Sequence, residues 1–593
     1  MVSGRFTVVE ASPYDLLRPQ LHTISTLVLT AIAWWLSTST GYCGQQAASG
    51  RVPNIVLVLT DDQGYGDLGC HGNKILKTPN LDRLYQESIR LTDFHVDPTC
   101  SPTRAALMTG RYSCRTGIWH TIMGRSFLRR DEVTLADMFA GAGYQTAIFG
   151  KWHLGDNYPY RTVDRGFQES LVHGGGGIGQ TADYWGNSYF SPTLLHNDKP
   201  LPTQGYSTDV FFAAAMRFLE THRDKPFFLY LPTNVPHSPY QVAETYSKPY
   251  RDAGVPAKLA DFYGMLANFD ENMGRLLAKL KELELERNTI LIYMTDNGTS
   301  GSGFNGGMRG AKGAVYDGGH RVPCFIRWPA RLEGGHDVSR LTAHIDLAPT
   351  LLELCRIPTP ERVAFDGKSL RPLLLSRDEA WPDRTLFVQS HRIEHPEPWR
   401  QSAVLTEQYR LINGRELYDI RQDPGQRKNL ATERPETVAG LRQAYQEWYE
   451  DVSKRFNEYC EIVLGAPKAN PTTLTCHDWH GSEVPWDQPM ILKDMVANGF
   501  WAVEIERAGQ YEITLRQRPD GVHAPLRPGN ARLKIGDVDQ LKPIGEGDCS
   551  VTFTVPLKAG KTQLQTWLTE TGGMERGAYF VDVRYLGSEQ AAP

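Results

Sequence analysis

Between Asn54 and Thr60 every intervening residue is apolar, and the run stops at once in two acids, Asp61 and Asp62, with Gly64 and Gly66 just beyond. A strand covered on one face alternates apolar and polar side chains. A continuous apolar run needs cover on both faces, as in a parallel sheet packed between helices. The pattern recurs at Gln145–Phe149, Phe227–Leu231 and Thr289–Thr295, each run breaking into a polar exit rich in Gly or Pro. Helical periodicity lies between them, at Val133–Ala142, Thr208–Glu220 and Leu259–Leu283. Alternating strands and helices predict a doubly wound α/β domain with a mixed, mainly parallel sheet.

In such sheets ligands bind beyond the carboxyl ends of the strands. The exits carry Asp61 and Asp62, Lys151 and His153, His237, and Asp296 with Asn297. Singly, each has an ordinary explanation, such as a solvated turn for the Asp pair. Delivered together to one edge, they describe a site, in which the pair Asp61 and Asp62 reads as ligands of a hard cation. Lys312 sits in the glycine-rich stretch 308–323, where backbone can approach a ligand closely and an ammonium can meet an oxyanion.

One nucleophile precursor accompanies this set. Cys100 precedes Pro102, which suits the first position of a helix, and Ala105–Thr109 are good helix formers with Gly110 as the stop. A Cys at a helix start lies where free N–H groups and the dipole favour an anion, although most such cysteines are inert. Arg104, one turn on, can fold back toward it.

The segment Cys100–Arg111 closely resembles the signature of type I sulfatases, the formylglycine-dependent enzymes of the alkaline-phosphatase-like superfamily. The Asp pair, the Cys-x-Pro-x-Arg core, Gly150–Gly155, Pro236-His237, Asp296–Gly298 and the Arg-Gly-x-Lys-Gly stretch around Lys312 follow in that family's order over residues 51–355. Leu417–Asp419, Asp423, Pro424, Asn429 and Leu430 also look like its C-terminal subdomain. Thr103 departs from the Ser of many members but spares the core of the signature.

The resemblance implies that a separate maturation enzyme oxidises Cys100 to Cα-formylglycine. It implies one Ca²⁺, with Mg²⁺ as the other oxygen-seeking choice, held by Asp61, Asp62, Asp296, Asn297 and matured residue 100. It implies hydrolysis of a sulfate ester. One hydroxyl of the hydrated aldehyde attacks sulfur with help from Asp296 and the metal, Lys312 steadies the sulfuryl oxygens, and His237 protonates the leaving alcohol. Arg104 and Lys151 hold residue 100, and His153 deprotonates the second hydroxyl, which expels sulfate. A phosphonate or phosphodiester hydrolase of the same chemistry, and an inactive carbohydrate-binding protein, are the alternatives.

A length of 593 residues calls for two or three domains, and a formal net charge of −5 argues against a general nucleic-acid binder. Nine Cys without a Cys-x-x-Cys pair speak against a zinc site or a disulfide scaffold. The apolar run Leu27–Leu36 is too short to span a bilayer and reads as a signal-peptide core, cleaved between Ser37 and Gly50. An exported, periplasmic or extracellular protein with no stable membrane span is expected, with residues 1–50 as the leader. Secretion and a C-terminal β-module suggest a sulfated carbohydrate, or else a small aryl sulfate, as substrate rather than a lipid.

The stretch 174–185 is glycine-rich and predicts a mobile loop whose aromatics stack on a sugar, or else a plain surface crossover, with 186–206 completing the insertion. Residues 356–464 predict a smaller α+β subdomain with a helix at Glu436–Lys454. Gly465–Pro471 reads as a linker. Beyond it, short alternating strands at Trp501–Glu506, Gln510–Leu515, Ala531–Ile535, Ser550–Val555, Thr562–Trp567 and Tyr579–Tyr585 predict a β-sandwich over 465–593. That module either binds carbohydrate or packs rigidly on the catalytic domain.

Overall fold

The structure is a computed structural model that describes residues 52–301, 303–376 and 381–588. The leader and its run Leu27–Leu36 lie outside these residues. A ten-stranded sheet runs through the first half in the order His336–Val338, Ile89–Leu91, Cys324–Arg327, Thr289–Thr295, Asn54–Thr60, Phe227–Pro232, Gln145–Lys151, Glu169–His173, Thr193–His196, Lys199–Pro202. Its five central strands, from Thr289–Thr295 to Glu169–His173, are all parallel.

The apolar run explains itself in the packing. Ile55, Leu57 and Leu59 enter one core, with Leu107 of helix Cys100–Thr109 and Leu351 of helix Leu347–Cys355. Val56 and Val58 enter the other, with Phe211 of helix Ser207–His222 and Phe269 of helix Ala257–Glu282. Each such side chain, fully buried, contributes about 1.5–3 kcal/mol. Both faces of the strand are therefore covered, and its end is the place where polar chemistry begins.

Helix Cys100–Thr109 starts two residues earlier than the proline implied, so Pro102 occupies its third position. The end falls where expected. Gly110 adopts φ 67° and its N–H closes on Ala106 O at 2.8 Å, a left-handed cap that a side chain would strain.

The smaller subdomain is an antiparallel sheet, Leu386–Gln389, Ser402–Leu405, Tyr409–Ile412 and Glu416–Asp419, covered by helix Pro435–Val452 through Val438, Leu441 and Tyr445. Two sheets, antiparallel except where Ile462–Leu464 pairs in parallel with Phe500–Ile505, close around a shared core of Val503, Leu533, Ile513 and Val583 to make the C-terminal sandwich.

Two expectations are corrected here. Residues 465–471 are no linker. Strand Ile462–Leu464 already pairs with Phe500–Ile505, and Gly465 lies so close to the Tyr511 hydroxyl that a Cβ would sit 2.3 Å from it. The glycine-rich segment 174–185 is a bonded loop. Asp183 accepts from Gly174 N at 3.1 Å and Gly179 N at 2.9 Å, and Gln180 Oε1 accepts from Gly176 N at 2.8 Å. Trp185 meets Phe580 of the sandwich edge to face at 5.9 Å.

The sandwich packs against the catalytic domain. Met123, Phe127 and Tyr160 belong to its core, and Arg130 pairs with Glu504 at 2.8 Å. Among the described residues no helix is long and apolar enough to cross a membrane.

Candidate active site

At the carboxyl edge of the sheet the chain turns sharply twice in conformations that L-residues avoid, Asp62 at φ 69° and His153 at φ 60°. Such backbone persists only where its surroundings fix it, and it concentrates at functional sites. Here it follows strands Asn54–Thr60 and Gln145–Lys151. Asp61, Asp62, Asp296 and Asn297 are all buried, as are Arg104 and Lys151.

Three carboxylates face three cations. Lys151 Nζ lies 2.6 Å from Asp61 Oδ2, Lys312 Nζ 2.6 Å from Asp62 Oδ1, and Arg104 Nη2 2.7 Å from Asp296 Oδ2. Arg104 Nη2 also lies 3.8 Å from Asp61. Arg104 and Lys151 thus meet the acids, and neither makes a hydrogen bond to Cys100 among the described residues. Lys151, His237, Arg104 and Lys312 together outweigh burial and hold the Asp61 carboxyl well below its ordinary range. Burial first, then the Asp61 charge, pushes Asp296 up. Two acids this close do not both ionise freely without further positive charge.

The oxygen atoms fit a hard cation. Asn297 spends its Nδ2 on Asp62 Oδ1 at 2.8 Å, which leaves its Oδ1 buried without a donor, and Asp61 Oδ1 is in the same state. A buried polar atom left unpaired costs about 1–3 kcal/mol. Ligand atoms of Asp61, Cys100 and Asp296 lie within 4.8 Å of one another, as do those of Asp61, Asp62 and His237. The oxygens that Asp61, Asp62, Asp296 and Asn297 offer among these atoms suit Ca²⁺ or Mg²⁺.

The two histidines present different atoms. His153 Nε2 pairs with Thr121 O at 2.8 Å, so it carries the proton and Nδ1, buried without a partner, is left as an acceptor. Burial and the neighbouring Lys151 hold this imidazole well below its ordinary value, hence neutral. His237 Nδ1 donates to Ser238 O at 2.6 Å, and its Nε2 faces Asp62 at 3.9 Å.

Of these groups Asp62, His153, His237 and Lys312 line, with Cys100, one pocket of about 320 Å³. Sequence reasoning missed His120, Gln180, Arg392 and Trp486 on the same walls. His120 Nδ1 accepts from the backbone N–H of Thr121 and Ile122, which leaves Nε2 to donate. Burial lowers its pKa to about 3 and keeps it neutral. Gln180 lay inside the glycine-rich stretch, a signal that was available. Arg392 and Trp486 come from the subdomain and the sandwich, where tertiary packing alone decides what reaches the pocket.

Gly176 explains the glycine-rich loop. A Cβ there would sit 2.4 Å from Cε1 of His153. Gly176→Ala is expected to displace the ring and lower kcat at least about tenfold, since small misplacements near reacting groups are costly. The melting temperature should move little. Wild-type kcat in that variant would show that the position of the ring is not critical.

Comparison with known proteins agrees with this geometry. The family model described as Sulfatase matches residues 53–357, and the model described as N-sulphoglucosamine sulphohydrolase, C-terminal, matches 311–452. Human arylsulfatase A is 32% identical over 461 residues, covering 67% of this chain and 87% of the relative. N-acetylgalactosamine-6-sulfatase of Rattus norvegicus is 30% identical over 366 residues, covering 56% of this chain and 67% of the relative. The crystal structure of Ps i-CgsB in complex with k-i-k-neocarrahexaose superposes with a TM-score of 0.64 at 26% identity, covering 69% of this chain and 95% of that one. The strand-end acids, the Cys100 helix and the opposed lysines all lie inside the first matched segment, and on that ground the chain belongs to the sulfatase family, as a sulfate ester hydrolase of alkaline-phosphatase-like fold.

Proposed function

We propose that the protein is an exported, Ca²⁺-dependent sulfatase that removes sulfate from a sulfated carbohydrate, with Cα-formylglycine made from Cys100 as its nucleophile. The observation that carries this reading is the pair of unsatisfied buried oxygens, Asp61 Oδ1 and Asn297 Oδ1, in the acid cluster beside the one cysteine at the pocket. Asp61, Asp62, Asp296 and Asn297 would hold the cation. Four protein oxygens favour Ca²⁺, because Mg²⁺ keeps most of its water. When bound, the ion polarises the sulfuryl oxygens and the nucleophile.

The chain's own side chains then divide the work. Lys312, 2.6 Å from Asp62, offers its ammonium to the sulfuryl oxygens. Asp296 assists removal of a proton from residue 100. Arg104 and Lys151 neutralise Asp296 and Asp61, and so keep the acids gathered around residue 100. A hydrated aldehyde bears two hydroxyls, so one attacks and the other, on deprotonation, expels sulfate; a Cys or Ser side chain has no such second group. Carbohydrate as the substrate class draws support from the neocarrahexaose-bound neighbour and the N-acetylgalactosamine-6-sulfatase relative. Mass spectrometry of the peptide containing residue 100, from a host with the maturation enzyme, tests the reading. An aldehyde supports it and an unmodified thiol ends it. Matched sulfate and phosphate esters separate it from a phosphonate or phosphodiester hydrolase.

The histidines should separate kinetically. His237 as general acid matters most for poor leaving groups, because a sugar alkoxide needs a proton and a nitrophenolate scarcely does. General acid–base catalysis is worth on the order of 10²–10⁴-fold. His237→Ala should therefore lose far more on a sugar sulfate than on nitrophenyl sulfate. His153, with its free Nδ1, acts after the alcohol has left, so His153→Ala should release a burst of alcohol ahead of sulfate. Rapid-quench measurement of the first turnover checks both. Equal losses for His237→Ala on the two substrates, and no burst in His153→Ala, would cancel the division of roles.

A further inference from the structure

Beside the catalytic pocket, and sharing His237, Ser238, Gln180 and Trp486 with it, lies a second hollow of about 470 Å³. Ile178, Tyr189, Pro239, Pro489 and Leu492 give it a largely apolar lining. Each volume falls within the roughly 300–1,000 Å³ typical of small-molecule sites. Trp486 stands at the junction. It comes from the loop between the short turn Cys476–Asp478 and helix Gln488–Leu492, beyond residue 452, where both family matches have ended.

The loop is fixed on both sides of the indole. Thr181 N donates to Trp486 O at 3.0 Å and Thr181 Oγ1 to Pro485 O at 2.7 Å. Gly186 N donates to Gln488 Oε1 at 2.9 Å. Yet the side chain is 36% exposed, stacks on no other aromatic ring, and its N–H has no partner among the described residues. A rigidly held, unpaired indole on the wall of a reaction pocket has no structural duty to account for it.

The polar side chains of the hollow are mostly spoken for. Asn187 bonds Asp183, Thr193 N and Thr193 O, and Gln488 Nε2 bonds Gln180 O at 3.1 Å and Tyr184 O at 3.2 Å. The surface therefore reads a flat apolar face rather than a pattern of hydroxyls. A pyranose ring presents such a face of C–H groups, and its edge hydroxyls can meet the indole N–H.

We propose that Trp486 is a substrate-binding platform for the sugar residue joined to the sulfated one, so that the enzyme acts on oligosaccharide sulfates with the sulfated residue in the catalytic pocket and its neighbour in the apolar hollow. This deepens the carbohydrate-sulfatase reading above and rests on it. The sandwich then adds, to a subsite largely built by the matched catalytic domain, the side chain that reads the neighbouring sugar.

The test uses the matured full chain with Ca²⁺, a panel of carrageenan and chondroitin sulfate mono-, di- and tetrasaccharides, and nitrophenyl sulfate as a separate report on the chemistry. Wild type should prefer the longer members of whichever series it cleaves. Trp486→Ala should reduce that preference about tenfold, the scale of one aromatic platform, and mainly through KM. Trp486→Phe should keep most of it. If wild type shows no length preference, or Trp486→Ala lowers mono- and oligosaccharide alike, the platform is overturned while the sulfatase reading stands. If nitrophenyl sulfate is cleaved and no sugar in the panel is, the carbohydrate reading fails, and the platform with it.

Discussion

Cys100→Ala is expected to lower kcat by about 10⁵-fold or more while leaving the fold in place. Losing the group that bonds to the substrate removes a whole route, and such losses reach on the order of 10⁶ in a hydrolase whose nucleophile is deleted. The fold should survive because Cys100 is a small buried side chain at a helix start, and alanine is the best helix former. Loss of so small a buried group, the thiol or the aldehyde made from it, costs on the order of 1 kcal/mol through the transfer and cavity terms. Cys100→Ser should be nearly as inactive, because one hydroxyl supplies attack but no second hydroxyl to expel sulfate. Turnover of nitrophenyl sulfate, read beside a thermal melt, checks both variants. Near-normal rate in either, with an unchanged melt, would remove Cys100 from the chemistry.

The parts of this molecule that were legible in sequence are those in which one physical demand overrides all others. Ile55–Leu59 had to be covered on both faces, and Asp61 and Asp62 could not continue such a strand, so fold class and site edge followed together. The same holds for Thr289–Thr295 ahead of Asp296 and Asn297. Roles were less legible than positions. Arg104 and Lys151 sit where the pattern placed them, but their partners are Asp296 and Asp61, a matter of which carboxylate is nearest in space. Glycine misled in two opposite ways. Gly465 looked like a flexible joint and is a close approach to Tyr511, and Gly176 looked like mobility and is room for His153. Composition records that a side chain is missing, and only packing says what fills the space. For the same reason Trp486 and Arg392 were invisible, since no local pattern ties the sandwich or the subdomain to the pocket.

Removal of divalent cations should be nearly as damaging as loss of Cys100. The acids of the site are balanced by Arg104, Lys151 and Lys312 before any ion enters, so the ion competes with those contacts, and its binding is paid for by satisfying Asp61 Oδ1 and Asn297 Oδ1. Exhaustive chelation is expected to leave less than about 1% of turnover, and Ca²⁺ should restore it at lower concentration than Mg²⁺. A second readout does not depend on activity. A ligand that binds only the folded state stabilises it by about 2.7 kcal/mol at one hundred times its Kd, so added Ca²⁺ should raise the melting temperature of stripped protein. Asp61→Asn should abolish that rise. It removes the charge whose Oδ1 is free for the ion and leaves Lys151, 2.6 Å away, as an uncompensated repulsive neighbour. Asp296→Asn should weaken the rise less, since Arg104 lies 2.7 Å from Asp296 and 3.8 Å from Asp61 and can turn to the latter. Stripped wild-type protein that keeps full activity, or a melting temperature indifferent to Ca²⁺, would mean that the three cations already complete the site and that the two unpaired oxygens serve some other end.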